Sequence, residues 1–343
     1  MSIEFVSLYE IRVPFRDPLV TRDGTHAERR SILVRVSDGT HAGWGEAAAF
    51  PSGRFGTADE AWEALRSLDP NTLPAVPIAS AAVQAARADM EARRAGVPLH
   101  RFLGGRRRAV AARHTVGLVD DLRSVIRRLE GIVSGGVRRI KVKVTPGADI
   151  EPVLGLRAAF PHLDIAVDAN GSYDDPFDIA FDALDHLGVS VIDQPFPSDA
   201  LDAHAALRRR GLTMQVCLDE SIASVASAVT AMAAHAADIV SVKVGRMGFE
   251  ASRAILASGR ATGTGFKVGG TFDTAIGRRH LLAFATLAGV TDAEVAPPSG
   301  YLAADIAEYP ALDDGTITPD DAPGIGVEPD MDRVGELLVR KRD

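Results

Sequence analysis

At 343 residues, 46% hydrophobic and 24% charged, the chain has the composition of a soluble globular protein, long enough for one large α/β unit and a smaller one. A net charge of −8 argues against nucleic acid or an anionic membrane as partner, and no stretch reaches the length of apolar sequence a spanning helix needs. The single cysteine, Cys217, excludes an internal disulfide, and the N-terminus lacks the basic start and apolar core of a signal peptide, so a cytoplasmic location is expected.

Residues 1–50 read as antiparallel strands. IEFVSLYEIRVPF alternates and stops at a proline, and Asp38-Gly39 marks a turn between two strand-like runs. Helices are expected over 58–70 and 80–95, the second N-capped by Ser80 and closed by Gly96 and Pro98. From about residue 112 strands and helices alternate strictly. Strands are predicted over 112–118, 138–144, 164–170, 189–196, 213–220, 238–244, 265–271 and 291–296, with helical segments such as LRSVIRRLEGIVSGG and ASRAILASGRATG between them. Eight such units fit a TIM-type (β/α) barrel better than an open doubly wound sheet, and no G-x-G-x-x-G follows the first strand. The predicted organisation is an α+β capping domain over 1–110, a modified barrel over 111–310, and a segment 311–343 that returns to the cap. Cys217, inside TMQVCL, reads as a small buried strand residue.

Six ionisable residues recur almost evenly along the barrel: Lys143, Asp168, Asp193, Asp219, Lys243 and Asp273, at intervals of 25, 25, 26, 24 and 30. Polar residues at the C-terminal tips of barrel strands converge on one mouth, where such enzymes do their chemistry. Lys141 and Lys143 are two apart and leave the same face, Lys141 one layer deeper. Their mutual repulsion and partial burial are expected to depress their pKa, as a general base near neutral pH requires. Asp168, Asp193 and Asp219 come from three successive strands. Together they would repel without a cation, and oxygen ligands with open positions favour Mg²⁺, although any one alone reads equally as a helix N-cap. Asn170 shares a face with Asp168, and Glu220 is expected to point away from the mouth as outer support. His114 is the one histidine near the mouth. Gly269 and Gly270 suit a phosphate, but nothing else in the chain accompanies them. A cation flanked by lysines suggests removal of a proton α to a carboxylate, with an enediolate stabilised electrostatically.

GWGE at 43–46, PLHRFLGG at 98–105, IKVKV at 140–144, VDAN at 167–170, DQP at 193–195, LDES at 218–221, VKVGRMG at 242–248, VGGTFDTAIGR at 268–278 and PGIGV at 323–327 span nearly the whole chain in order. With them the sequence resembles the enolase superfamily, in its muconate-lactonising subgroup, and is most similar to the o-succinylbenzoate synthase/N-acylamino acid racemase family. The resemblance implies Lys143 and Lys243 as the acid/base lysines, and Asp168, Asp193 and Asp219 as ligands of Mg²⁺, with Mn²⁺ as a substitute. It implies a small-molecule carboxylate substrate near Asn170, Arg246, Thr271 and Asp273, a cap loop near residues 15–26 closing over it, and a homo-oligomer. Arg246, three residues after Lys243, matches the racemase-capable branch.

The leading activity implied is o-succinylbenzoate synthase, a dehydratase of menaquinone biosynthesis. N-acylamino acid racemase, another racemase or cycloisomerase, and a catalytically impaired homologue are the alternatives within the family. A Schiff-base aldolase and a binding protein on the same scaffold lie outside it. The last strand, TDAEVAPP, lacks the D-x-D of dipeptide epimerases. Positions 193 and 273 carry Asp where the family usually has Glu, each one methylene shorter, and Mg²⁺ holds ligands near roughly 2.1 Å with little tolerance. The cap reads as abbreviated around 51–75, and Phe249, in place of a common glycine, is expected to narrow the mouth.

Overall fold

The computed structural model describes residues 5–21, 24–50, 55–69, 72–119 and 121–343. The chain begins with a long antiparallel hairpin, β1 (Phe5–Thr21) and β2 (Gly24–Ser37), followed across the Asp38-Gly39 turn by β3 (Ala42–Ala48). The loop expected near 15–26 is instead a continuation of this hairpin, with Leu19 opposite His26 after a register break at Pro14; residues 22 and 23 lie outside the described residues. The outer end of the hairpin rests on the barrel, where the Arg16 N–H donates to the Tyr301 carbonyl at 2.8 Å.

Helix α1 (Ala58–Arg66) starts in a capping box made by Thr57 and Glu60. Helix α2 (Pro77–Arg94) starts three residues earlier than expected. Pro77 takes the first helical position, where its fixed φ and missing N–H suit a helix start, and Ser80 falls inside the helix rather than capping it. GWGE lets α2 lie directly on β3: a Cβ at Gly43 would stand 2.2 Å from the Met90 nitrogen, and one at Gly45 would stand 2.1 Å from the Ala82 carbonyl oxygen. A short α3 (Leu99–Phe102) and β4 (Val110–Ala111) lead into the barrel.

All eight predicted barrel strands form: β5 (Arg113–Val116), β6 (Arg139–Lys143), β7 (Asp164–Asp168), β8 (Val189–Asp193), β9 (Gln215–Leu218), β10 (Ile239–Val242), β11 (Gly265–Val268) and β12 (Val290–Ala293). They pair in sequence order and in parallel, and an Ala112–Ala293 bridge closes the seam. Between them run α4 (Leu122–Ser134), α5 (Ile150–Ala159), α6 (Ala180–His186), α7 (Leu201–Arg209), α8 (Val225–Ala233), α9 (Val244–Ser258) and α10 (Ala275–Ala285). β12 is followed by a single 3₁₀ turn at Pro298–Gly300, so among the described residues the ring has seven helices for eight strands. Cys217 packs with Ala166, Val191 and Ile239 as a buried apolar cluster beneath the mouth.

The rest of the chain comprises β13 (Leu312–Asp313), β14 (Thr316–Ile317), α11 (Met331–Leu337) and β15 (Leu338–Arg342). β15 pairs antiparallel with β1, giving the order β15-β1-β2-β3. No helix among the described residues is long and apolar enough to cross a membrane.

Candidate active site

A cavity of about 590 Å³ opens at the C-terminal ends of the barrel strands. Lys141, Lys143, Asp168, Asn170, Asp219, Glu220, Lys243, Arg246 and Thr271 all line it, which brings together nine of the eleven side chains proposed from the sequence. Lys143 comes from β6 and Lys243 from the start of α9, directly after β10. In an eight-strand ring, strands four places apart stand on opposite walls. Gly269 leaves room for the second lysine: a Cβ there would lie 3.1 Å from Lys243 Cδ.

The two lysines have different company. Lys143 Nζ donates to Asn170 Oδ1 and lies 3.4 Å from Asp168 Oδ2. Lys243 Nζ forms a close ion pair with Asp219 Oδ2, at 2.6 Å. Asn170 sits in the left-handed region at φ 46°, its N–H directed to Asp168 Oδ1 and its side-chain amide donating to Glu220 Oε1 at 3.0 Å. Glu220 therefore faces the cavity instead of turning away. Burial, with Asp219 and Asp168 alongside, pushes its carboxyl above the usual range. Gln194, missed in the sequence, fixes the neighbouring turn: its Oε1 accepts from the N–H groups of Asp219 and Ser221.

Lys141 departs from expectation. Burial works against its charge, but Asp168, Glu294 and Asp193 overcome that and hold the ammonium well above its ordinary pKa. It lies 3.2 Å from Asp168 and 3.1 Å from Asp193, and it donates to Glu294 Oε1. A lysine so surrounded by carboxylates is a fixed cation and not a base, because opposite charges outweigh repulsion from Lys143.

The magnesium set requires a second correction. Among the described residues, no three His, Cys, Asp or Glu side chains are gathered so as to hold a metal ion. Asp193 lies below the cavity instead of on its wall, 1% exposed. Its Oδ2 is paired with Lys267 and Lys141, and its Oδ1 is buried with no hydrogen-bond partner. Asp168 and Asp219 reach the cavity, but each is matched to an ammonium group. The expected three-carboxylate set is therefore not assembled, and the residues present do not fit it. The physical reasons are the methylene that Asp193 lacks and the two ammonium groups, Lys267 and Lys141, that hold its Oδ2 below the mouth.

Lys267 and Glu294 were both missed. Asp193 holds the Lys267 ammonium above its usual pKa against the cost of burial, and Lys141 and Lys267 together hold Glu294 well below its own. A signal was available. In GFKV, Lys267 alternates with Phe266 and Val268, which pack outward, so in a closed barrel it must point inward. Glu294 likewise falls between Ala293 and Val295.

Three further expectations change. Asp273 does not line the cavity. It is folded behind Thr271, whose N–H and hydroxyl both donate to it, at 2.9 and 3.0 Å. Phe249 turns away from the mouth onto His280 and Phe284, because α9 kinks at Gly248. Gly270 directs its N–H to Glu294 Oε2 at 3.0 Å, and a carboxylate in that position opposes a phosphate. His114 is structural as well as buried: its ring stacks on Tyr301 at 4.3 Å, and burial lowers its pKa to about 3. Arg246 lies over the Phe55 ring, 4.5 Å from its centre.

Residues 124–333 match the family model described as Enolase C-terminal domain-like, well over half of the chain. The chain belongs to the enolase superfamily. An o-succinylbenzoate synthase of Geobacillus kaustophilus is 33% identical over 363 aligned residues, covering 97% of this chain and 95% of that one. An N-succinylamino acid racemase of Thermus thermophilus is 34% identical over 270 residues, covering 78% and 73%. A dipeptide epimerase of Cytophaga hutchinsonii, solved with Mg and the dipeptide D-Ala-L-Val, superposes with a TM-score of 0.90 at 20% identity, covering all of this chain and 99% of that one. At that identity it speaks for the family's fold alone, the barrel under an antiparallel cap.

Proposed function

We propose that this protein removes a proton α to the carboxylate of a small organic acid, and that its reaction is the o-succinylbenzoate synthase dehydration. The observation that carries the reading is the pair Lys143 and Lys243, facing one cavity from opposite walls. Full-length similarity to o-succinylbenzoate synthases supports the substrate class.

Lys143 is the base. Its nearest partner is the neutral Asn170 amide, with the Asp168 carboxylate further off at 3.4 Å, whereas the nearest partner of Lys243 is a carboxylate at 2.6 Å. The Lys143 amine takes the α-proton, and the C–H electron pair spreads onto the substrate carboxylate as an enediolate. Fixed cations stabilise that developing charge: Lys243 across the cavity, and Lys141 and Arg278 on its wall. The enediolate then expels the hydroxyl of the adjacent carbon, which takes the proton back from Lys143 and leaves as water. Positioned proton transfer of this kind is worth roughly 10²–10⁴-fold in rate.

The family uses Mg²⁺, as the epimerase solved with Mg illustrates. The expected three-carboxylate set does not assemble here, so neither Mg²⁺ nor Mn²⁺ is assigned a step. A homo-oligomer acting in the cytoplasm on a small carboxylate completes the reading.

The test is incubation with the cyclohexadiene carboxylate precursor, with and without added Mg²⁺, following substrate absorbance. Steady loss with release of the aromatic product is expected, and no loss under either condition removes the assignment. Racemisation of N-succinyl amino acids is the second reading, favoured by the same opposed lysines and by Arg246 on the cavity wall. α-Deuterium exchange without dehydration would select it.

A further inference from the structure

Lys267 and Asp193 form a buried ion pair at the base of the candidate active site, with side chains 3% and 1% exposed. Two features make it a built-in element. Lys267 is anchored by β11, paired residue for residue with β10 from Ile239–Gly265 to Val242–Val268, and its amine also lies 3.5 Å from Glu294. The shorter Asp side chain at 193 and the long Lys side chain at 267 are complementary, because one retracts from the mouth and the other fills the space beneath it.

Charge counting points the same way. Four lysine side chains, Lys141, Lys143, Lys243 and Lys267, face four paired carboxylates, Asp168, Asp193, Asp219 and Glu294. These four carboxylates already have lysine partners, which reduces what they offer a divalent ion, and Arg246 and Arg278 on the same wall oppose the one further carboxylate there, Glu220. Releasing Asp193 to a metal would leave the buried Lys267 ammonium with only Glu294, at 3.5 Å and already shared with Lys141, an arrangement that low-polarity surroundings penalise.

We propose that Lys267 is a resident cation that permanently neutralises Asp193, so that Asp193 is not a metal ligand in this chain and divalent ions bind only weakly. Mn²⁺ uptake by the metal-stripped full-length chain tests this, read from the electron paramagnetic resonance signal of the free ion. No substrate is involved, so the outcome is separable from that of the dehydration assay.

Wild type is expected to take up Mn²⁺ only at millimolar concentration or above, and Asp193→Asn to match it within twofold. Lys267→Met is expected to tighten uptake at least tenfold by removing one of the two ammonium groups that hold Asp193, leaving Lys141 alone. Micromolar uptake by wild type that Asp193→Asn weakens tenfold or more overturns the proposal, as does a Lys267→Met chain of native circular dichroism with no gain. Should Lys267→Met fail to fold, wild type against Asp193→Asn decides alone: equal uptake at millimolar concentration or above, including none by either, upholds the proposal, and micromolar uptake by wild type or a loss in the Asn variant overturns it.

Discussion

Glu46 on β3 and Thr274 at the start of α10 bind the cap sheet to the barrel. The buried Glu46 carboxylate accepts from the Thr274 N–H and hydroxyl, the Gly277 N–H and the Ser31 hydroxyl. Burial and neighbouring Asp273 push its carboxyl above the usual range, so the site pulls against the charge it uses. Glu46→Ala strands several buried donors at once. We expect a loss of about 2–4 kcal/mol, measured by chemical denaturation, since hydrogen bonds to a charged group are worth about 1.5–3 kcal/mol each and are not additive.

Lys143→Met and Lys243→Met separate base from charge stabiliser. Lys143→Met is expected to lower kcat for dehydration by about 10²–10⁴-fold with little change in KM. On the racemase reading, in which each lysine serves as base toward one enantiomer, Lys243→Met should still wash deuterium from solvent into one enantiomer of an N-succinyl amino acid, while Lys143→Met retains exchange only in the other. Solvent-exchange NMR on single enantiomers gives the result, and identical behaviour of the two variants would contradict the opposed placement.

Asn170 is a positioning residue, holding the Lys143 amine and Glu220 from a left-handed backbone. Asn170→Gly keeps that conformation open, whereas Asn170→Ala adds about 1 kcal/mol of backbone strain. Both should lose roughly tenfold in kcat, with only the Ala variant also losing melting temperature. A shifted pH–rate profile in both would tie the loss to the Lys143 amine, which a purely structural role would not do.

The buried charge cluster sets a pH window for stability. Asp168, Asp193 and Glu294 titrate below their ordinary values of 3.8, 3.8 and 4.5 in the folded chain, so the stability they contribute is complete above those values and lost as pH falls through the lower folded ones. Lys141 titrates above its ordinary 10.5, so its contribution is complete below that and lost only at higher pH. Thermal melts should show this contribution constant between about pH 5 and 10 and falling below pH 4. Glu294→Gln should make the acid limb shallower, and an unchanged limb would rule out the cluster as its cause.

The barrel was legible because each strand is a short apolar run ended by a polar residue, and because glycines and caps punctuate the helices. The lysines and Asn170 were legible too, since a strand tip dictates where its side chain points. What single-strand reading missed was depth and pairing across the ring. Asp193 pairs in register with Cys217, two residues short of Asp219, so its short side chain remains in the interior row. The partner that holds it is three strands away, and the sequence carries no marker joining Lys267 to Asp193. Lys141 was misread for the same reason: its repelling neighbour is two residues off, whereas the three acids that outweigh it come from β7, β8 and the residue after β12.

The pairing of β15 with β1 means that one of the earliest strands waits for residues 338–342 before its outer edge is covered. Until then the backbone around Leu8–Ile11 is an open template for strands from other molecules. Losing a handful of C-terminal residues, far from the chemistry, would therefore make self-association the first symptom, with catalysis failing only afterwards.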